Sequence, residues 1–472
     1  MSAPAIVWFR NDLRLADNPA LTAAARSGAP VVALYILDDD NAGDWRMGSA
    51  SRWWLHYSLA ALASDLAALG VTLVLRRGRA EFALEGVVAE TDAAAVYWNR
   101  LYEPWAMRRD SEIKSQLRAR GVTVESFNAS LLFEPTHLRN KQGDPFRVFT
   151  PFWRACLAAE PPAAPLPTPK KLLAAATPAS DALDDWRLLP TTPDWAGGMR
   201  AFWRIGEKAA HERLAAFMRS GMKNYKIARD FMAQDGVSHL SPYLHFGEIS
   251  PRQIWAKVAK REEDGAAAFL REVGWREFCH HLLVANPNMP EIALDERFRD
   301  FPWAKDKKAL RAWQRGQTGY PLVDAAMREL WITGYMHNRA RMVAASFLVK
   351  HLLIPWQEGE RWFWDTLVDA DLGNNSGGWQ WVAGCGADAA PYFRVFNPVL
   401  QGEKFDPDGD YVRRYVPELA KLDARFIHRP WEAPDEALRA AGVTLGKTYP
   451  RPIVDHAKAR ARALAAFEDT KA

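Results

Sequence analysis

Five short runs in the first 130 residues are apolar almost throughout: AIVWFR (5–10), PVVALYIL (30–37), VTLVLRR (71–77), AAVYWN (94–99) and GVTVESF (121–127). Runs of this length and continuity predict strands of a parallel sheet covered on both faces. Between the second and third lies RWWLHYSLAALASDLAAL (52–69), whose apolar spacing is helical and which stops at Gly70, a C-cap signal. The alternation predicts an N-terminal α/β domain, a doubly wound parallel sheet, over residues 1–130. No G-x-G-x-x-G follows the first strand, which argues against a dinucleotide site there.

The pattern then changes. AAEPPAAPLPTPKKLLAAATPAS (158–180) is too rich in Pro to sustain a regular element, so 131–200 is read as an inter-domain connection wrapped over the surface. From about 200 onward the period becomes helical. GGMRAFWRIGEKAAHERLAAFMRS, ISPRQIWAKVAKR, AAFLREVGWREFCHHLLV, YPLVDAAMRELWITGY and MHNRARMVAASFLVKHLL are separated by Gly and Pro. They predict an all-α C-terminal domain over 201–472.

Composition narrows the class. With 49% hydrophobic and 25% charged residues the chain is globular, and its 472 residues suit two domains. There is no run of about 18 apolar residues, so no membrane span is predicted. The opening MSAPAIVWFRNDLR has no basic-then-apolar leader, and Cys156, Cys279 and Cys385 are far apart. Both features point to a cytoplasmic protein without a clustered metal site. A net charge of +4 permits nucleic-acid binding without requiring it. Fourteen of the 21 tryptophans fall at or after Trp186, which suggests a helical domain that handles π-systems.

Four segments of that domain combine unusual chemistry. HLSPYLHFGEISPRQIW (239–255) has two Ser-Pro pairs, each a helix-start signal through a Ser cap and an early Pro. In FLREVGWREFCHHLL (269–283), Glu272 and Trp275 are i, i+3 neighbours flanked by arginines, as on a stacking platform. MHNRARMVAASF (336–347) sets Asn338 beside Met342 and His337 beside Arg341; a buried Arg341 needs a counter-ion, for which Asp369 and Asp371 are candidates. DADLGNNSGGWQWVAGCGADAAPYFRVFNP (369–398) has glycines that let backbone approach a ligand, and its Trp379 and Trp381 point differently.

Taken in order, these motifs resemble the photolyase/cryptochrome flavoproteins over nearly the whole chain. WFRNDLRLADNPAL (8–21) is similar to the N-terminal signature, and TGYPLVDAAMREL, MHNRARM, WQEGERWF, DADLGNNSGGWQW and DAAPYFRVFNP are similar to the FAD domain. The resemblance implies FAD held through Tyr225, Ser238, Leu240 and Ser241, with Arg341 and Asp369 paired beside the isoalloxazine and Ala370 and Asp371 on the same turn. Asn375 matches the residue facing flavin N5, where an amide adds no negative charge. Lesion contacts fall on Glu272, Trp275, Asn338, Met342 and Trp381, and further DNA contacts on Arg229, Arg276, Arg339, Arg394, Gln401 and Lys404. Trp379, Trp356 and Trp303 match an electron-transfer chain.

The implied activity is light-driven repair of cyclobutane pyrimidine dimers in DNA: reduced FAD donates an electron to a flipped-out dimer and recovers it after ring splitting. A monomer is expected. Val237, His239 and Phe269 depart from the side chains usual at those flavin positions, as does Gly373. The resemblance also implies an antenna chromophore. Trp105 and Ala106 replace an Asn–Glu pair of some folate-binding relatives, yet WWLHYSL (53–59) resembles members that hold folate in another geometry. Methenyltetrahydrofolate is therefore expected, with a deazaflavin second. The alternatives are a cryptochrome-type blue-light photoreceptor and a photolyase for six-four photoproducts.

Overall fold

The structure, a computed structural model, describes residues 3–392 and 394–470. β1 (Ala5–Phe9), β2 (Val31–Leu37), β3 (Leu73–Arg77), β4 (Ala95–Asn99) and β5 (Thr123–Phe127) pair in parallel in the order β3-β2-β1-β4-β5. Each lies inside a run predicted from the sequence. The inner strands β1, β2 and β4 read as continuously apolar because both faces are covered, whereas the edge strand β5 exposes Thr123 and Glu125. Ile6 and Trp8 pack with Leu84, Val87, Ile113 and Leu117 of α3 (Ala80–Thr91) and α4 (Pro104–Ala119). Val7 and Phe9 face the other way, towards Leu21 of α1 (Pro19–Ser27) and Trp54 and Leu59 of α2 (Ser49–Ala68).

The segment 131–200 contains a helix that the sequence reading did not predict, α5 (Phe149–Ala158). Its ten residues carry a Pro at position 151, too short and interrupted a pattern to stand out, but Phe149, Phe152 and Trp153 are all buried. Beyond α5 the Pro-rich stretch follows the sheet: Ala174 bridges Val31, and Asp181 N donates to Leu75 O at 2.9 Å.

The remainder is helical. The 197–220 segment, whose spacing reads as helical, forms two helices, α6 (Gly197–Phe202) and α7 (Glu207–Ser220), separated before Gly206, whose φ is 113°. There follow α8 (Tyr225–Ala228), α9 (Ser241–His245), α10 (Pro251–Val258) and the long α11 (Asp264–Ala285). Of the two Ser-Pro starts only Ser250 is a cap, accepting from Gln253 N at 3.0 Å in a capping box. Ser241 is itself the first residue of α9 and caps nothing. Next come α12 (Lys307–Gln314), α13 (Pro321–Thr333), α14 (Asn338–Ser346), α15 (Trp356–Thr366), α16 (Leu372–Ala383), α17 (Pro398–Phe405) and α18 (Asp410–Tyr415). α14 does not run on as an α-helix; it opens into a π-turn over Phe347–His351.

Two clips hold the halves together, one buried and one at the surface. Ser58 Oγ and Trp54 Nε1 of α2, with Gly206 N, donate to Glu248, whose carboxyl burial pushes up to about 8. At the start of α2, Ser49 N and Oγ donate to Asp365 of α15 at 2.9 and 2.8 Å. No helix among the described residues is long and apolar enough to cross a membrane.

Candidate active site

The helical half encloses a cavity of about 540 Å³. α11 supplies Phe269, Glu272, Trp275 and Arg276; α8 and its end supply Tyr225 and Arg229; the 237–241 turn supplies Val237, Ser238, His239, Leu240 and Ser241. α14 contributes Asn338, Arg341 and Met342. The turn into α16 adds Asp369, Ala370 and Asp371, and α16 itself Asn375, Trp379 and Trp381. Residues scattered over 157 positions of sequence thus meet at one hollow. Arg339, Arg394, Gln401, Lys404, Trp356 and Trp303 do not line it.

The unusual 369–398 stretch is helical over α16 and, up to the start of α17, otherwise turns and irregular backbone among its described residues. Its glycines serve packing as well as access: a Cβ at Gly377 would meet Cys279 Sγ at 2.9 Å, so α16 lies close on α11. Two positions apart on a helix means about 200° of rotation. Trp379 is accordingly buried against Phe363, ring centroids 5.0 Å apart, while Trp381 is only half-buried at the cavity.

Arg341 donates to both oxygens of Asp369 at 3.1 and 2.8 Å, and its Nε to Met336 O at 2.7 Å. The second candidate counter-ion, Asp371, is engaged elsewhere. It caps α16 by accepting from Asn374 N at 2.8 Å and lies 3.1 Å from His280 Nε2, with His245 Nδ1 at 4.0 Å. Burial alone would raise Asp371, but His280 and His245 outweigh it and hold the carboxyl well below its ordinary range. For His280 burial is likewise outweighed, and Asp371 raises the ring above its ordinary value.

Asn375 Nδ2 donates to Glu360 O at 3.0 Å, which leaves Oδ1 as the acceptor for whatever sits beside it. Glu360 is fully buried; Ser376 Oγ donates to its Oε1 at 2.5 Å, and Oε2 has no partner among the described residues. Burial pushes its carboxyl up to about 8. His239 has a left-handed backbone, φ 51°, and lies with its ring 4.8 Å from Tyr335. Burial, helped by Arg213, brings it down to about 4, so the imidazole is neutral near pH 7.

At the opening, Glu272 is ion-paired with Arg229, whose guanidinium lies 5.4 Å from the Tyr225 ring. The Trp275 indole stacks on Phe149 of α5, 3.8 Å between centroids at 7°. Arg276, a candidate DNA contact that lines the cavity, also donates to Ser130 O at 2.7 Å and lies 3.6 Å from the buried Glu277, where a carboxylate needs a cation nearby. Outside the cavity, Arg339 pairs with Asp230 at 2.7 Å and lies 4.2 Å from the Phe405 ring, with Lys404 5.2 Å from the same ring. Trp356 is buried and Trp303 partly so, both packed in the core that holds Trp379.

The sequence reading missed Phe149, Tyr335, Met336, His245 and His280. Tyr335 precedes the MHNRARM motif that Met336 opens, and His245 ends HLSPYLH, so the motifs themselves were an available signal. Phe149 carried none, since only tertiary packing brings α5 under Trp275.

A sheet unit joined to a helical unit whose cavity holds an Arg–Asp pair, a buried amide and two indoles is a two-domain protein built to hold a large aromatic cofactor. His239 Nδ1 and Trp379 Nε1, buried and without a partner among the described residues, belong to side chains that line this cavity, a set that suits the polar edges of a flavin dinucleotide. Residues 5–170 match the family described as DNA photolyase, and 269–469 the FAD binding domain of DNA photolyase. The chain is 53% identical to a deoxyribodipyrimidine photo-lyase of Agrobacterium fabrum, over 100% of this chain and 98% of that one. It is 42% identical to cryptochrome-1 of Arabidopsis thaliana, over 96% of this chain and 69% of the plant protein. The crystal structure of a bacterial class III photolyase from Agrobacterium tumefaciens superposes with a TM-score of 0.97 at 52% identity, covering 100% and 98% of the two chains. The chain belongs to the photolyase/cryptochrome family and carries its FAD-binding domain.

Proposed function

We propose that this protein is a deoxyribodipyrimidine photo-lyase that repairs cyclobutane pyrimidine dimers in DNA under light. The observation that carries the reading is a single cavity. It brings Arg341–Asp369 and Asn375 together with Glu272, Trp275, Asn338, Met342 and Trp381. FAD, when bound there, supplies the photoexcited electron that opens the cyclobutane ring. Arg341 and Asp369 would hold the cofactor's ring system, and Asn375 would offer Oδ1 as an acceptor beside it without adding charge. Trp275, backed by Phe149, and Trp381 wall the space for a flipped-out dimer and keep water from it. Glu272 and Asn338 bond the base edges, and Arg339, Arg394, Gln401 and Lys404 meet the strand outside. Trp379, Trp356 and Trp303 form the route by which electrons reach the cavity from the surface.

The antenna reading is methenyltetrahydrofolate. In this sheet order the strands reverse between β1 and β4, where doubly wound folds usually bind ligands. Here Arg10, Asp110, Arg109 and Asp38 fill that crevice with ion pairs of 2.7–3.1 Å. A cleft of about 690 Å³ between the halves is open instead, lined by Trp45, Arg46, Glu291, Arg361, Trp364 and Asp365. Its carboxylates suit a pterin's N–H edge and its arginines an anionic tail. A monomer in the cytoplasm fits the three unpaired cysteines.

The test is direct. Chemically reduced protein is mixed with an oligonucleotide carrying one thymine dimer, illuminated in blue, and assayed for dimer loss. Repair that Trp275→Ala and Glu272→Ala both weaken is expected; flavin photoreduction without any dimer loss would identify a photoreceptor instead.

A further inference from the structure

One buried carboxylate outside the cavity joins four helices that the proposed chemistry needs in register. Glu329, in the last turn of α13, is buried, and a single oxygen, Oε2, accepts from Tyr411 Oη at 2.6 Å and from His337 N at 3.1 Å. His337 caps α14, its Nδ1 accepting from Arg339 N at 3.2 Å. The carboxylate therefore ties down the turn from which Asn338 and Met342 project. That turn begins at Gly334, φ 67°, a left-handed position at the end of α13 where a side chain is strained.

The other arm reaches the DNA-facing side. Tyr411 lies in the first turn of α18, and its backbone N donates to Asp406 Oδ1 at 2.9 Å, with Val412 N donating to Oδ2 at 3.1 Å. Asp406 ends α17, the helix that carries Gln401 and Lys404. Its neighbour Phe405 meets the Arg339 guanidinium at 4.2 Å, which closes the circuit back onto α14. Burial pushes Glu329 up to about 7, so the anchor does not depend on a permanent charge.

We propose that Glu329 is a positioning residue that holds the lesion-facing turn in register with the DNA-facing helix α17. It touches neither substrate nor cofactor; it fixes His337 and Tyr411, and through them the residues that do. The proposal rests on the reading of Asn338 and Met342 as lesion contacts.

The experiment measures dissociation constants of the FAD-loaded full chain for a dimer-bearing and an undamaged oligonucleotide, in wild type, Glu329→Gln, Glu329→Ala and Asn338→Ala. Gln presents an oxygen in the same place and is expected to keep dimer discrimination within about twofold of wild type. Ala leaves two buried donors unpaired and is expected to lower discrimination roughly tenfold, with a smaller loss on undamaged DNA through α17 and FAD content nearly unchanged. Equal loss on both oligonucleotides, retained discrimination in Glu329→Ala, or the same loss in Glu329→Gln would each overturn the proposal. Unchanged discrimination in Asn338→Ala would instead overturn the lesion reading on which it rests, so the two failures are separable. Should Glu329→Ala not fold, Tyr411→Phe removes one donor alone. An intermediate loss of discrimination there is the expected result, and none overturns the idea.

Discussion

Arg229 and Glu272 are bound to each other at the mouth of the cavity, each side chain about one-quarter exposed. Both are named for DNA, one for the strand and one for a base edge, so before DNA arrives each neutralises the other. A partly exposed pair of this kind adds little to stability, on the order of 0.5 kcal/mol. Its weight falls on binding. Glu272→Ala is expected to leave the unfolding midpoint nearly unchanged and to weaken dimer-bearing DNA by about 1–3 kcal/mol, through a lost charge-assisted bond. Arg229→Ala should weaken damaged and undamaged DNA alike and lower the slope of log affinity against log salt by about one unit. Titrations across a salt series check both; a salt slope unchanged in Arg229→Ala would remove this residue from the phosphate set.

Glu360 makes a prediction in pH. Its carboxyl, pushed up to about 8 by burial, is still protonated where the unfolded chain's is already ionised. A raised acid therefore costs stability as pH climbs from about 4.5 towards 8, and costs nothing below both values. Glu360→Gln, which can still accept from Ser376, should match wild type near pH 4 and exceed it by roughly 2–4 kcal/mol near pH 8. Denaturant unfolding at the two pH values checks this, and equal stabilities at pH 8 would refute it.

The buried Asp371–His280 pair runs with the opposite sense at each end. Asp371 is depressed, so its contribution is present above the ordinary carboxylate range and is lost as pH falls through its folded value. His280 is raised; its contribution is complete below about 6.5 and is lost as pH rises through its folded value. The pair is worth most in the mildly acidic range between. His280→Gln should cost about 3 kcal/mol near pH 5.5, with the gap to wild type narrowing at pH 3 and at pH 9. Thermal unfolding of both proteins at the three pH values reads it; a gap independent of pH would mean that packing, not charge, is what His280 supplies.

The sheet was legible because its inner strands are short apolar runs with both faces covered, and the helices because their period shows wherever a Gly or Pro bounds them. α5 was not, since ten residues with an internal Pro carry too little pattern. The cavity residues could be named from motif order, because Asp369, Arg341 and Asn375 sit in segments dense with unusual chemistry. Their partners could not. Nothing local says that Asp371 belongs to His280 rather than Arg341, that Arg276 also donates to Ser130 O, or that Phe149 lies under Trp275. Those are facts of tertiary packing, where elements far apart in sequence decide which of several plausible counter-ions is near.

Trp379 separates two activities that share one cofactor. It lines the cavity, is buried, and its Nε1 has no partner among the described residues, while its ring packs on Phe363 and lies where a Cβ at Gly359 would collide with it. The backbone of α15, which begins at Trp356, thus approaches the indole directly, and Trp303 lies further out, half-buried beside Phe301 at 4.4 Å. An indole in this place can pass an electron inward, but it is not among the groups that hold the dimer. Trp379→Phe keeps most of the packed volume and is expected to cost no more than about 1.5 kcal/mol in stability. Photoreduction of the oxidised protein should be largely abolished. Dimer repair by protein reduced chemically beforehand should persist near the wild-type level, because that electron is already in the cavity. Transient absorption measures the first and dimer loss the second; photoreduction at the wild-type rate in both Trp379→Phe and Trp356→Phe would exclude this route.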